Sequence, residues 1–215
     1  MKKIFISLIV IASIAKQSSQ AQIITTIAGN GYGAGTGMCG YSGDSGQASL
    51  AELCEPTDVA LDATGNIYIS DYSNNRIRKV NAGGIITTIA GNGTAGFSGD
   101  GGQATTAEVN NTQDLTIDAS GNIYFADAGN NRVRKINTLG IITTIVGTGI
   151  GAYSGDGGQA IAAELYGPGS LTFDVNGNLY IADGNNNRIR KVNTSGIISL
   201  ISNEGVVNKR LVIVR

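Results

Sequence analysis

Ile85-Ile-Thr-Thr-Ile-Ala-Gly91 returns 56 residues later as Ile141-Ile-Thr-Thr-Ile-Val-Gly147, and this recurrence decides the fold. The same step carries Gly65-Asn-Ile-Tyr-Ile-Ser-Asp71 onto Gly121-Asn-Ile-Tyr-Phe-Ala-Asp127 and Gly177-Asn-Leu-Tyr-Ile-Ala-Asp183. It also carries Asn74-Asn-Arg-Ile-Arg-Lys79 onto Asn130-Asn-Arg-Val-Arg-Lys135 and Asn186-Asn-Arg-Ile-Arg-Lys191. Ile23 to Gly29 is one more copy of the first segment. It stands 62 residues before its partner because the first unit holds six extra residues near Gly31 to Gly40.

Each unit reads as four short strands. Val59 to Asp62 and Asn66 to Ser70 alternate apolar side chains at period two, across a tight Asp62-Ala-Thr-Gly65 loop. Arg76 to Val80 is the third strand, and Asn81-Ala-Gly-Gly84 turns into the β-branched run Ile85 to Ala90. Four antiparallel strands repeated in tandem describe the blade of a β-propeller, so the expected fold is all-β with three blades. They fall at about residues 56–91, 112–147 and 168–201, within a repeat region 22–201. A parallel β-helix is the structural rival, but its coils use wide turns rather than repeated hairpins.

Composition agrees and narrows the chemistry. Thirty-two glycines in 215 residues, with no G-X-Y period, fit many tight turns, and 41% apolar residues can fill a core. The net charge of −1 supplies no field for nucleic acid or an anionic membrane. Histidine is absent, which removes Ser-His-Asp triads, Cys-His dyads and His-ligated zinc.

The repeats resemble the NHL family. Pro56-Thr-Asp-Val-Ala-Leu-Asp62, Gly65 to Asp71 and Asn74 to Lys79 follow its three consecutive motifs. The added Ser-Gly-Asp and Ile-Ile-Thr-Thr-Ile elements are similar to a bacterial branch akin to the teneurin NHL propeller. The departures are Thr112 in place of Pro, and Asp58, Asp114 and Ser170 in place of Gly, expected to weaken individual turns. The resemblance implies a binding platform in most members and an enzyme in a few.

The ends carry their own signals. Lys2 and Lys3, an apolar run from Ile4 to Ala15 and small residues at Ser19 and Ala21 form an export signal over 1–21, which places the mature protein outside the cell or on its surface. The apolar run is short for a membrane span. Residues 202–215 leave the repeat and resemble the final hairpin of a type IX secretion sorting domain. Strand counting leaves 23–28 as a spare outer strand with no host. The arc is therefore expected to be open, to join a larger ring through its blade edges, or to be a shortened member of a longer family.

Antiparallel order puts the loops after the second strands and the long connections between blades on one face. That face collects the candidate ligand-binding residues Tyr41, Asp44, Phe97, Asp100, Tyr153 and Asp156. The alternative is that these aspartates cap their own turns and the aromatics tuck under the loops. Asp71–Arg76, Asp127–Arg132 and Asp183–Arg188 face each other across hairpins and are expected to form structural ion pairs. The Ala-rich stretches beside Glu52, Glu108 and Glu164 are expected to form one helical turn each. Cys39 and Cys54, both in the enlarged first connection of an exported chain, are expected to form a disulfide. The expected function is a secreted module that binds a protein or glycan, without catalysis, cofactor or metal. The alternatives are a metal-dependent propeller hydrolase or lyase and a non-functional fragment.

Overall fold

The computed structural model describes residues 24–36 and 40–201. Among them are three four-stranded antiparallel sheets, each in sequential order. The first holds β1 (Pro56–Leu61), β2 (Ile67–Asp71), β3 (Arg76–Val80) and β4 (Ile86–Ala90). The second holds β5 (Thr112–Ile117), β6 (Ile123–Asp127), β7 (Arg132–Ile136) and β8 (Ile142–Val146). The third holds β9 (Pro168–Phe173), β10 (Leu179–Asp183), β11 (Arg188–Val192) and the shorter β12 (Ile198–Leu200).

Local chemistry makes these hairpins. The Asp62 carboxylate accepts bonds from the Thr64 and Asn66 backbone and from the Asn66 and Tyr68 side chains, closing the β1–β2 turn. Asp118 and Asp174 repeat the arrangement with Asn122 and Asn178. After β2, a 3₁₀ turn (Tyr72–Asn74) runs into Asn75 at φ 51°, a left-handed residue that Asn tolerates. Asn131 and Asn187 do the same, which explains the repeated Asn-Asn pair. The helical turns of the connections lie at Ala48–Leu50, Ala104–Thr106 and Ala160–Ala162, just ahead of the glutamates.

Blades stack face to face, with β1 against β5 and β5 against β9. Each trailing face packs on the leading face of the next blade. Tyr68, Ile77 and Ala90 of the first blade share a core with Leu115, Ile123, Phe125, Ile136 and Ile142 of the second. Ala126, Val133 and Val146 of the second share another with Leu171, Leu179, Ile181, Val192 and Ile198 of the third. Among the described residues, no blade stands before the first. Ala48, Ala51 and Leu53 of its connection cover Ile69, Val80 and Ile86, but leave its inner strand bare. Val59 is therefore 57% exposed, while its counterparts Leu115 and Leu171 are 3% and 5% exposed.

The spare strand differs from expectation. Ile24 to Ala28 forms no β-ladder, and Ile24 is 97% exposed. Its end is nevertheless placed as in the repeats. Gly29 N–H donates to Ala48 O at 2.9 Å, as Gly91 donates to Ala104 and Gly147 to Ala160. The export signal at 1–21 and the tail at 202–215 lie outside the described residues.

Candidate functional site

The loop after β2 and the connection before the blade do meet on one face. Asn74 Nδ2 donates to Gly40 O, and Asn130 and Asn186 donate in the same way to Gly96 O and Ala152 O. A buried clamp then fastens the connection to the blade. Arg78, with its side chain fully buried, bonds Asp71 at 3.2 Å and Asp44 at 2.9 Å, and donates to Ser42 O. Arg134 joins Asp127 and Asp100, and Arg190 joins Asp183 and Asp156, at 2.8–3.3 Å. Asp71 also accepts the Cys54 N–H, so each such aspartate ties down the last stretch of its connection. Asp127 and Asp183 accept the N–H of Asn110 and Tyr166 in the same role.

This corrects the expected ion pairs. Asp71 stands opposite Arg76 in the ladder, yet its charge partner is Arg78, two residues along on the same face. Arg76 turns outward instead and donates to Asn74 O and Asn92 O, carbonyls that the loop leaves without a ladder partner. Arg132 bonds Asn130 O and Thr148 O, and Arg188 bonds Asn186 O, so neither Asp127–Arg132 nor Asp183–Arg188 is the salt bridge. The long guanidinium reaches diagonally across the hairpin, which register alone does not reveal.

The aromatics sit on these arginines. Arg76 lies 3.6 Å and Arg78 4.8 Å from the Tyr41 ring centre, and Arg132 and Arg134 lie at 3.7 and 4.8 Å from Phe97. Arg188 and Arg190 take the same places on Tyr153, at 3.9 and 4.8 Å. Each of the three aromatic residues still shows about 40% of its surface to solvent. Tyr41 and Tyr153 donate to Asp44 and Asp156, a bond that Phe97 cannot give Asp100. Burial pushes the Asp44 carboxyl up, but bonds from Tyr41, Thr88 and Arg78 outweigh it and hold the group below its usual range. Asp71 and Asp127, deeper in, are raised by burial despite their partners. The six candidate ligand residues are thus brought together blade by blade, with the carboxylates engaged by arginine and the rings left accessible.

Sequence reading missed a second network. Asp58, Asp114 and Ser170 do not weaken turns; they sit in the inner strands and link one blade to the next. Asp58 Oδ2 accepts Leu115 N–H at 3.0 Å, and Asp114 Oδ2 accepts Leu171 N–H at 2.7 Å and the Ser170 hydroxyl at 2.5 Å. Backbone donors on the free edge of an inner strand are satisfied by the carboxylate of the blade before. These residues line a recess of about 500 Å³. Burial, and then a hydrogen bond with the Asp114 carboxyl, push Asp58 up to about 6. The recurrence of side chains larger than Gly at one inner-strand position was the available signal. Thr112 in place of Pro is buried and hydrogen-bonds Arg76 O.

Of the expected disulfide, Cys39 lies outside the described residues, and Cys54 is buried against the first blade. No group of three or more metal-ligating carboxylates or thiols is found among the described residues. None of their helices is long and apolar enough to cross a membrane.

Known proteins share both sequence and fold. Teneurin-3 of Danio rerio is 27% identical over 197 residues, covering 86% of this chain and 7% of that protein. Teneurin-1 of Gallus gallus is 32% identical over 158 residues, covering 64% of this chain and 6% of its own length. The chain therefore spans a small part of the teneurins it matches. Among solved structures, a Bacteroides thetaiotaomicron protein of unknown function superposes with a TM-score of 0.58 at 23% identity, over 70% of this chain and 37% of that one. A streptogramin B lyase superposes at 0.51 with 18% identity, over 80% and 44% of the two chains. At these identities the structures establish the shared fold. The profile of the Teneurin NHL domain matches residues 6–96, 92–154 and 151–212, so with its three NHL-type blades the chain belongs to the Teneurin NHL domain family.

Proposed function

We propose that the chain is an exported, non-catalytic binding module that presents its long-loop face to a protein or glycan. The observation that carries this reading is the row formed by Tyr41, Phe97 and Tyr153. Each ring is half-exposed, in the same place in its blade, on a base of two arginines. Rings held this way lose little freedom on binding and offer apolar area beside polar loop groups, the property that makes aromatics effective contact residues. The aspartates beneath them are neutralised by arginine, so they hold the platform rather than hold an ion. Export rests on the signal at 1–21, and a Cys39–Cys54 bridge would brace the enlarged first connection at the rim of this face.

The test is retention of the intact mature protein on a glycan array and on immobilised surface-protein extracts. A Tyr41→Leu/Phe97→Leu/Tyr153→Leu variant with an unchanged circular dichroism spectrum serves as the control. Specific retention that falls at least tenfold in the variant is the expected result. Retention unchanged by the three substitutions, or no retention on either surface, overturns the assignment.

A further inference from the structure

The two ends of the stack expose complementary surfaces. At the front, Val59 and Leu61 of β1 are 57% and 65% exposed, whereas their counterparts in the other blades pack against a preceding blade. At the back, Ile189 of β11 is 43% exposed, whereas Ile77 and Val133 at the same position are fully buried against a following blade. The two internal junctions show what each surface fits. In both, the trailing face carrying Ile77 or Val133 closes on a leading face carrying Leu115 or Leu171.

A separate observation concerns the outer strands. Ile24-Thr-Thr-Ile-Ala28 is identical to β4, Ile86-Thr-Thr-Ile-Ala90, yet it has no ladder. Its Gly29–Ala48 bond sets its end against the first blade in the same way that Gly91–Ala104 sets the end of β4 against the second. Ile24 to Ala28 therefore stands where a blade packed on the front of this chain would keep its outer strand. The third blade's outer strand is β12 (Ile198–Leu200), and Ile201 N–H still donates to Ile189 O beyond it at 3.2 Å. Its sequence, Ile198-Ser-Leu-Ile201, has drifted from the repeat.

We propose that two copies of the chain join head to tail into a closed six-bladed ring. The Ile189 face of each copy docks on the Val59 face of the other, and the incoming Ile24–Ala28 replaces β12 beside β11. Six blades fall within the four to eight of closed propellers. The junction is heterologous, so it must close on itself or propagate, and the second copy supplies the closure. Each Ile24–Ala28 thereby gains a host strand, and the β12 it displaces leaves its place beside β11 in each copy. This inference is independent of the ligand assignment above, since it concerns the blade faces and not the loop face.

Sedimentation and native mass of the mature protein test it, together with Val59→Asp and Ile189→Asp. Both positions are half-exposed in the single chain, so its fold tolerates the charge, which an unchanged denaturation midpoint verifies. The wild type is expected to run as two chains, with Ile24–Ala28 amides protected and Ile198–Leu200 amides exposed to exchange. Each variant alone is expected to self-associate at least tenfold more weakly. Mixing the two variants restores pairing, because one intact Ile189 face then meets one intact Val59 face. A wild type that remains a single chain at high micromolar concentration overturns the proposal. So do assemblies that grow beyond two copies, pairing that survives both substitutions, or mixing that restores nothing.

Discussion

Ile24 to Gly29 and Ile86 to Gly91 are the same six residues, and the molecule treats them differently. In the second copy, Ile86 is fully buried and Ile86–Ala90 is strand β4, paired with β3. In the first copy, Ile24 is 97% exposed and no ladder forms. Both copies carry the β-branched residues that favour strands, so propensity does not separate them. The host does. β4 follows its own third strand through the Asn81 turn, which closes a short loop at little entropic cost. Ile24–Ala28 has the correct point of departure at Gly29 and, among the described residues, no third strand before it.

The contrast predicts where substitutions will matter, beginning with the host strand. Arg78→Ala removes the charge that neutralises buried Asp71 and fastens the connection to β3, and should cost about 4 kcal/mol in urea unfolding. A loss below about 1 kcal/mol would show that the clamp does not hold the host strand. The outer strands themselves come next. In single-chain protein, Ile86→Ala empties a packed site and should cost about 3 kcal/mol, whereas Ile24→Ala should change stability by less than about 0.5 kcal/mol. Equal losses in single-chain protein would erase the distinction.

Glycine sharpens it further. Gly29 and Gly91 share a left-handed backbone, φ 91° and 85°. A Cβ on Gly91 would run into the Asn75 carbonyl at the start of β3, while one on Gly29 would meet only Leu53 Cδ1 at 3.5 Å. Gly91→Ala should therefore be more destabilising than Gly29→Ala by about 2 kcal/mol, on thermal or urea denaturation.

The smallest effect is at the inner strands. Asp58, raised from 3.8 to about 6, keeps a proton in the folded chain that the unfolded chain has released. Its contribution therefore falls as pH rises from about 4 to about 6 and is level above that. Asp58→Asn retains an acceptor for Leu115 N–H and should flatten this slope, by less than about 1 kcal/mol because the carboxyl is half-exposed and screened. An unchanged slope in the variant would remove the Asp58–Asp114 contact as its cause.

These contrasts also mark what the sequence could reveal. A repeat with hairpin turns defines a blade because each local signal, from Asp62-x-x-Gly65 to Asn81-x-x-Gly84, recurs in step. The aromatic and acidic residues of the long-loop face were found by the same recurrence. The identity of their charge partners was not. Asp71 could reach Arg76 or Arg78, and the choice depends on loop carbonyls that fall beside Arg76 only in three dimensions. Asp58, Asp114 and Ser170 looked like departures from a glycine pattern, since the contact that explains them runs between blades, about one repeat apart in sequence. Ile24–Ala28 reads as a strand because sequence records propensity and not the presence of a partner.

Amide exchange in the single-chain Ile189→Asp variant tests the central claim most directly, because it compares the two identical segments in one molecule. The account predicts rapid exchange across Ile24–Ala28 and strong protection across Ile86–Ala90, both independent of concentration. Equal protection of the two segments in that single chain would contradict it, because strand formation would then follow from the residues themselves and not from the host strand beside them.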